Sequence, residues 1–369
     1  MTGMFLLFPA LIWGPLGIYL YHIVVRFFTL LRIREKTAAS RVLSLAVTLF
    51  CVSRGWMLYG LGAVVLLHFL AFSAGMEIIW RIVQKRIHRK KVRKAWDIIY
   101  RSSAVCFILL AVVFAYGAYN MRDVRRTHYD FTVEKPAARD FRAIQISDLH
   151  MGTAMGADKL KEYCDKIKNE NPDLLALTGD IFDENTTRKE MQAAARLLGG
   201  IKTKYGAYYI FGNHDYNLYT DHPYYTQKEL KQTLEKEGIH VLEDSVVKAA
   251  DWLTVAGRTD ASMERKEIGD LLSKADRDSF ILLLDHQPKG LKANQSAGAD
   301  LQLSGHTHAG QIWPTGQLGS LLGITELNYG CRQDGSCHVI VSSGIAGWGY
   351  ANRTGGHSEY VAVDVHVRS

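Results

Sequence analysis

Ser304-Gly305-His306-Thr307-His308-Ala309-Gly310 decides how this chain is read. Two imidazoles one residue apart follow Asp300-Leu301-Gln302-Leu303, which reads as the end of a buried strand. Glycines at 305 and 310 let the backbone turn tightly and bring both rings toward a ligand. A His-x-His pair alone reads equally well as two loop histidines. Four further clusters change that, each after a strand-like run: Asp148-Leu149-His150, Gly179-Asp180, Gly212-Asn213-His214-Asp215 and Asp285-His286. Loops at the carboxyl ends of strands are where a sheet scaffold holds its site.

Outward from these clusters the pattern is α/β. Strand-like runs fall at 141–147, 173–178, 205–211, 252–256, 280–284, 301–304, 338–341 and 360–367. Helical patterns lie near 158–169, 189–198, 227–236 and 265–274. No internal repeat or low-complexity tract interrupts them.

Together the clusters supply carboxylate oxygen, amide oxygen and at least four imidazoles. That mixture suits two borderline-hard divalent ions rather than a closed structural zinc site, which favours cysteines. A carboxylate can bridge ions about 3.5–4 Å apart, and such a pair clamps the attacking and leaving oxygens of a phosphoryl displacement.

The same set, in the same order, resembles the calcineurin-like metallophosphoesterase family over about residues 141–367. The ending Val341-Ser342-Ser343-Gly344-Ile345-Ala346-Gly347-Trp348-Gly349, with Arg353 and Glu359, resembles the membrane-anchored YkuE-like branch. Ala309 stands where that branch usually has a second glycine. The resemblance implies an α/β fold, a four-layer αββα sandwich of two mixed sheets with metals at the strand ends. It implies Asp148, His150 and His308 on the first ion, Asp180 bridging, and Asn213, His286 and His306 on the second. The cofactors it implies are two divalent ions (manganese, iron or zinc). The implied reaction is hydrolysis of a phosphoester, phosphodiester or pyrophosphate by a metal-bound hydroxide. His214 would protonate or stabilise the leaving oxygen, and Asp215 would orient that imidazole.

The first third of the chain is different. Residues 1–126 hold 18 Lys/Arg against four acids, a net of +14, whereas residues 127–369 carry a net of −7. The basic charge sits beside apolar runs, which points to a membrane rather than to nucleic acid. Phe5–Val25 is uncharged and long enough to cross a hydrocarbon core. It lacks a basic leader and a small-residue cleavage site, so it reads as an anchor. Further spans are expected near 38–53, 56–79 and 102–119, an all-α transmembrane region of about four helices. With four spans, the basic loops 26–41 and 81–101 share one side. The positive-inside rule makes that side cytoplasmic and turns the C-terminal domain outward. The expected organisation is a transmembrane region over 1–121, a polar connector over 122–140 and the catalytic domain over 141–369.

The reading is thus an integral protein of the cell membrane with an extracytoplasmic phosphoesterase domain. Its partners would be the lipid bilayer and a phosphorylated small-molecule or lipid-linked substrate. The alternatives are a nuclease or nucleotide phosphodiesterase, which the net negative charge of the domain disfavours, and a non-catalytic membrane sensor or scaffold.

Weaker candidates remain. Arg353 is a candidate phosphate contact or a strand-end charge, and Tyr216, Tyr219, Tyr224 and Tyr225 line a pocket, touch the interface or simply pack. His222, His338 and His357 read as ordinary histidines, and Glu77 as an interfacial carboxylate. Cys51 and Cys106 read as small hydrophobes. Cys331 and Cys337 flank a hairpin turn, and a three-residue loop would set them opposite each other, as a disulfide or as free thiols according to compartment.

Overall fold

A computed structural model of the chain describes residues 2–368 except 32, 34–36, 59, 136 and 137. Arg32, Arg34 and Lys36 of the first basic segment lie outside the described residues, as do Pro136 and Ala137 of the expected connector. The chain forms two compact units, Met1–Tyr116 and Gly117–Ser369.

The first unit is helical: α1 (Thr2–Leu30), α2 (Ala38–Arg54), α3 (Leu61–Arg86), α4 (Lys90–Ser102) and α5 (Ala104–Arg122), whose last turns belong to the second unit. Trp13, Leu20 and Ile23 of α1 pack against Ala63, Leu66 and Leu70 of α3. Gly62 lies against the Arg54 carbonyl where α2 ends, so a β-carbon there would collide with backbone. Among the described residues, three helices, Pro9–Leu30, Leu61–Arg86 and Ala104–Arg122, are long and apolar enough to cross a membrane. α2 is not among them. Its 17 residues rise about 26 Å, at the lower limit of what a span of a hydrocarbon core of about 30 Å needs. α4 falls within the second basic segment, and none of its side chains is buried. Glu77 pairs with Arg81 one turn further along α3, and Tyr19 donates to it at 3.4 Å.

The second unit is built on β1 (Val124–Glu134), β2 (Phe141–Ile146), α6 (Ala157–Lys168), β3 (Leu174–Thr178), α7 (Arg188–Gly199), β4 (Ala207–Ile210) and α8 (Gln227–Lys236). It continues with β5 (Ile239–Val241), β6 (Ser245–Ala250), β7 (Leu253–Gly257), α9 (Ile268–Leu272), β8 (Phe280–Leu284), α10 (Leu291–Ser296) and β9 (Leu301–Ser304). α11 (Thr315–Leu321), β10 (Gly330–Asp334), β11 (Cys337–Val341) and β12 (Ser358–Arg368) complete it. One sheet runs β1-β12-β2-β3-β4-β5 and the other β10-β11-β9-β8-β7-β6. Their inner faces share one core that includes Ala143, Leu174, Leu253, Phe280, Leu301 and Val363. α6, α7 and α8 cover the outer face of the first sheet, and α9 and α10 that of the second. These are the four αββα layers that the family resemblance implies.

Within each sheet the central strands are parallel, β2-β3-β4-β5 and β7-β8-β9-β11. Their carboxyl ends therefore fall on one edge of each sheet. Gln145 ties the two sheets together there, donating to Thr178 Oγ1 at 2.9 Å and to the Ser304 carbonyl at 2.8 Å. α7 and α8 start with capping boxes, Thr187 with Glu190 and Thr226 with Glu229, which fixes where each helix begins.

Two expectations need correction. The connector expected over 122–140 contains an eleven-residue strand, β1, in register beside β12 from Val124↔Ser358 to Glu134↔Arg368. Its charged residues belong to an edge strand half open to solvent, which hid the strand behind polarity. The cysteine hairpin turns through two residues, Gly335-Ser336, so Cys337 faces Asp334 and Cys331 faces Ile340. Cys331 is exposed and Cys337 is buried, and the two do not face each other across the hairpin.

Candidate metal centre

Each cluster read from the sequence sits directly after a central strand. Asp148 and His150 follow β2, Asp180 follows β3, Asn213 follows β4, His286 follows β8, and His306 and His308 follow β9. The two sheets bring these loops together as two groups, Asp148-His150-His308 and Asp180-His286-His306. In each group the candidate ligand atoms lie within 4.8 Å of one another. Asn213 joins the second group, its Oδ1 3.0 Å from His306 Nδ1.

The backbone is held for this arrangement. Asp148, His150, Asp180, His306 and His308 all have positive φ, between 42° and 73°. Non-glycine residues rarely adopt that region, and such strain gathers at functional sites. Gly212 is there because nothing larger fits: a β-carbon would strike Asp180 Oδ1 and stand 2.6 Å from the Asp180 nitrogen. His306 N donates to Asp148 Oδ1 at 2.9 Å, and His214 N to Asp180 Oδ1 at 2.9 Å. His286 Nδ1 meets the Thr178 carbonyl at 2.8 Å, which leaves Nε2 facing Asp180 Oδ2 at 3.1 Å.

The donor set fits divalent cations. His150 Nε2 and His308 Nε2 are 3.3 Å apart, and His308 Nε2 is 3.5 Å from Asp148 Oδ1. Two imidazole nitrogens and a carboxylate oxygen so close together are donor types that a divalent ion takes. Burial, reinforced by His286, brings His306 down to about 4. Burial and the neighbouring His150 hold His308 well below its ordinary value. Both rings are therefore neutral at neutral pH, as metal ligands must be. Burial opposes charge on Asp180, yet His286, His150 and His214 outweigh it and hold the carboxyl well below its usual range. The Asp180 and Asp148 carboxylates in turn keep His286 well above its ordinary value despite its burial. The site thus attracts positive charge where a cation would displace that proton.

Asp215 does not orient His214. Its carboxylate accepts three backbone N–H groups, from Asp180 at 2.7 Å, Phe182 at 2.9 Å and Gly212 at 2.7 Å. It therefore shapes the two ligand loops, and burial beside Asp180 pushes it up to about 7. The partner of His214 is Glu184, with oxygens 2.8 and 3.1 Å from Nδ1. The reason is geometric: the adjacent Asp215 side chain points back under the loops, while Glu184 reaches over from the loop after β3. Tyr219 and Trp348 flank the His214 ring, with centroids at 4.9 and 5.4 Å.

Arg353 is neither a phosphate contact nor a strand-end charge. It is fully buried and donates to the carbonyls of His308, at 2.8 Å, and Ala346. Burial lowers it to about 10, so it stays cationic at neutral pH. The last turns of α5 hold its backbone: Arg353 N donates to the Gly117 carbonyl at 3.0 Å, and Asn120 Nδ2 to the Arg353 carbonyl at 3.1 Å. Tyr225 is core and Tyr216 packs against it, Tyr219 and Tyr224 are exposed, and His338 stacks on Phe131. His357 lies 3.2 Å from the buried Glu359.

Glu184 and Asp183 were not singled out from the sequence. The available signal was their position three and four residues after Asp180, in the same strand-end loop. Asp183 Oδ2 lies 3.5 Å from His150 Nδ1.

Comparison with known proteins agrees with this geometry. The calcineurin-like phosphoesterase family model matches residues 141–310. The Bacillus subtilis metallophosphoesterase YkuE is 30% identical over 215 residues, 56% of this chain and 72% of that protein. The transmembrane protein with metallophosphoesterase domain of Danio rerio is 30% identical over 241 residues, 60% of this chain and 53% of that protein. The match thus spans about half the length of the zebrafish relative. A dimetal phosphatase from Danio rerio aligns at a TM-score of 0.39 and 12% identity, covering 56% of this chain and 88% of that one. With the ligand loops in family order on a two-sheet α/β domain, the chain belongs to the calcineurin-like metallophosphoesterase family.

Proposed function

We propose that the protein is a membrane-anchored, two-metal phosphoesterase acting on a phosphoester, phosphodiester or pyrophosphate bond of a lipid-linked or cell-envelope substrate. The observation that carries this reading is the pair of ligand groups, Asp148-His150-His308 and Asp180-His286-His306, at the facing strand ends of two sheets. Asp180, 3.1 Å from His286 Nε2 and 3.9 Å from His150 Nε2, would serve both ligand groups. Divalent ions held there would activate water and clamp the phosphoryl oxygens. Glu184 fixes Nδ1 of His214, which leaves Nε2 to pass a proton to the leaving oxygen. Arg353 and Asp215 keep the His308, Asp180 and Gly212 backbones in place without touching substrate.

An outward-facing domain is part of the reading. It needs α2 to cross along with α1, α3 and α5, which puts both basic segments on one side. A thiol placed at Asp251, which is fully exposed, should then react with an impermeant maleimide from outside intact cells. Labelling only after lysis would reverse the sidedness. For the chemistry, the full chain with Mn²⁺ should hydrolyse bis-p-nitrophenyl phosphate and Asp180→Ala should not. Inactivity with every divalent ion, or an Asp180→Ala chain as active as the parent, would overturn the enzyme assignment.

A further inference from the structure

Trp313, Leu318, Leu321, Leu322 and Ile324 are 59, 49, 81, 70 and 70% exposed. They stand in one segment around α11, and the 17 residues from Ala309 to Thr325 contain no charge. The segment begins immediately after His308, and Gly310 packs against Gly316, so it is fastened to a ligand loop rather than hanging free. An exposed apolar patch of this kind on a soluble surface marks a binding face.

Its placement identifies the occupant. Apart from Tyr119 in the last turn of α5, the other large apolar side chains exposed on the second unit, among the described residues, are Leu218, Tyr219, Tyr224 and Met263. Leu218, Tyr219 and Tyr224 follow β4 and Met263 follows β7, again beyond carboxyl strand ends. Apart from Tyr119, the exposed large apolar side chains of this unit therefore stand in the loops of the edge that carries the candidate metal ligands. A protein partner needs shape and a polar rim, whereas this segment offers protruding, uncharged side chains with a tryptophan at its base. That composition suits the boundary between headgroups and acyl chains. The same chain carries three helices able to cross a membrane, so a bilayer is within its reach.

We infer that residues 313–324 dip into the bilayer surface and hold the ligand-bearing edge against the lipid headgroups. The class of substrate is then a phosphate ester borne by a membrane lipid, met at headgroup depth; this last step rests on the phosphoesterase reading, the docking does not. Tyr219, beside His214, lies on the same edge and would meet the headgroup layer.

The test uses the full chain in nanodiscs of phosphatidylcholine and phosphatidylglycerol, with Cys51→Ser and Cys331→Ser to silence the more accessible native thiols. Nitroxide labels are placed at Leu321→Cys or Ile324→Cys, with Asp251→Cys at the opposite edge as the aqueous reference. Labels at 321 and 324 should collide with oxygen several-fold more often, and with a water-soluble nickel chelate several-fold less often, than the label at 251. Nickel accessibility equal to that at 251 would overturn the inference. So would shielding from both reagents, the mark of a protein partner or a second copy. Hydrolysis of bis-p-nitrophenyl phosphate is measured on the same samples. Activity with water-exposed labels would sink only the docking. Lipid-immersed labels on an inactive chain would support the docking and sink the phosphoesterase reading.

Discussion

Replacing Glu184 by glutamine separates the two acidic residues that compete for the role of His214 partner. The Glu184 oxygens lie 2.8 and 3.1 Å from His214 Nδ1, and both side chains are only 11–12% exposed. A hydrogen bond to a charged group in so shielded a place is worth about 1.5–3 kcal/mol. If that energy supports the protonated imidazole during leaving-group departure, its loss costs roughly 10- to 100-fold in kcat. Glutamine keeps the ring in place, so KM and metal content should stay near parent values. Burial disfavours the charged ring, and the Glu184 hydrogen bond, aided by Asp180, raises it above its ordinary value. Removing the carboxylate lowers it, so the proton is lost sooner as pH rises and the alkaline limb of kcat moves to lower pH. The assay compares an alkyl ester with a p-nitrophenyl ester across pH. The alkyl leaving group needs the proton and should show the larger loss. Equal losses for both esters, or an unmoved alkaline limb, would refute the acid role of His214.

The remaining predictions concern the scaffold. Gly212→Ala forces a β-carbon to 2.6 Å from the Asp180 nitrogen. It should abolish the stabilisation of about 2.7 kcal/mol that Mn²⁺ at some hundredfold its Kd gives the parent, read as a lost rise in Tm. Arg353→Met removes the donor to the His308 and Ala346 carbonyls. At about 1–3 kcal/mol per orphaned group, it should lower the Tm of the detergent-solubilised chain and weaken Mn²⁺ binding together. Asp364, held down to about 2 by hydrogen bonds from Arg142 at 2.7 and 2.8 Å, contributes about 1–2 kcal/mol. Its folded value lies below the unfolded one, so that stability is present above about pH 4 and fades as pH falls toward 2. Asp364→Asn should thus melt lower at pH 7 and converge with the parent in acid.

The sequence by itself determined the ligand loops and the apolar helices. Both are local: an apolar run, a glycine and a ligand residue predict a strand end that turns, as at Ser304-Gly305-His306. A charge-free run of span length predicts a helix for hydrocarbon. That sufficed to place seven candidate metal-ligand positions in strand-end loops; the two-sheet fold was implied only by the family resemblance those loops carry. Tertiary structure alone decided which polar groups meet. Asp215 is next to His214 in sequence, yet it turns under the loops to take three backbone donors, and Glu184 arrives from the loop after β3. Arg353 looks like a surface charge until the loops around it close over its guanidinium. β1 looks like a connector until β12 supplies its hydrogen bonds. In each case burial and partner choice depend on segments far apart in the chain. Local composition does not encode those meetings; the packing of the two sheets does.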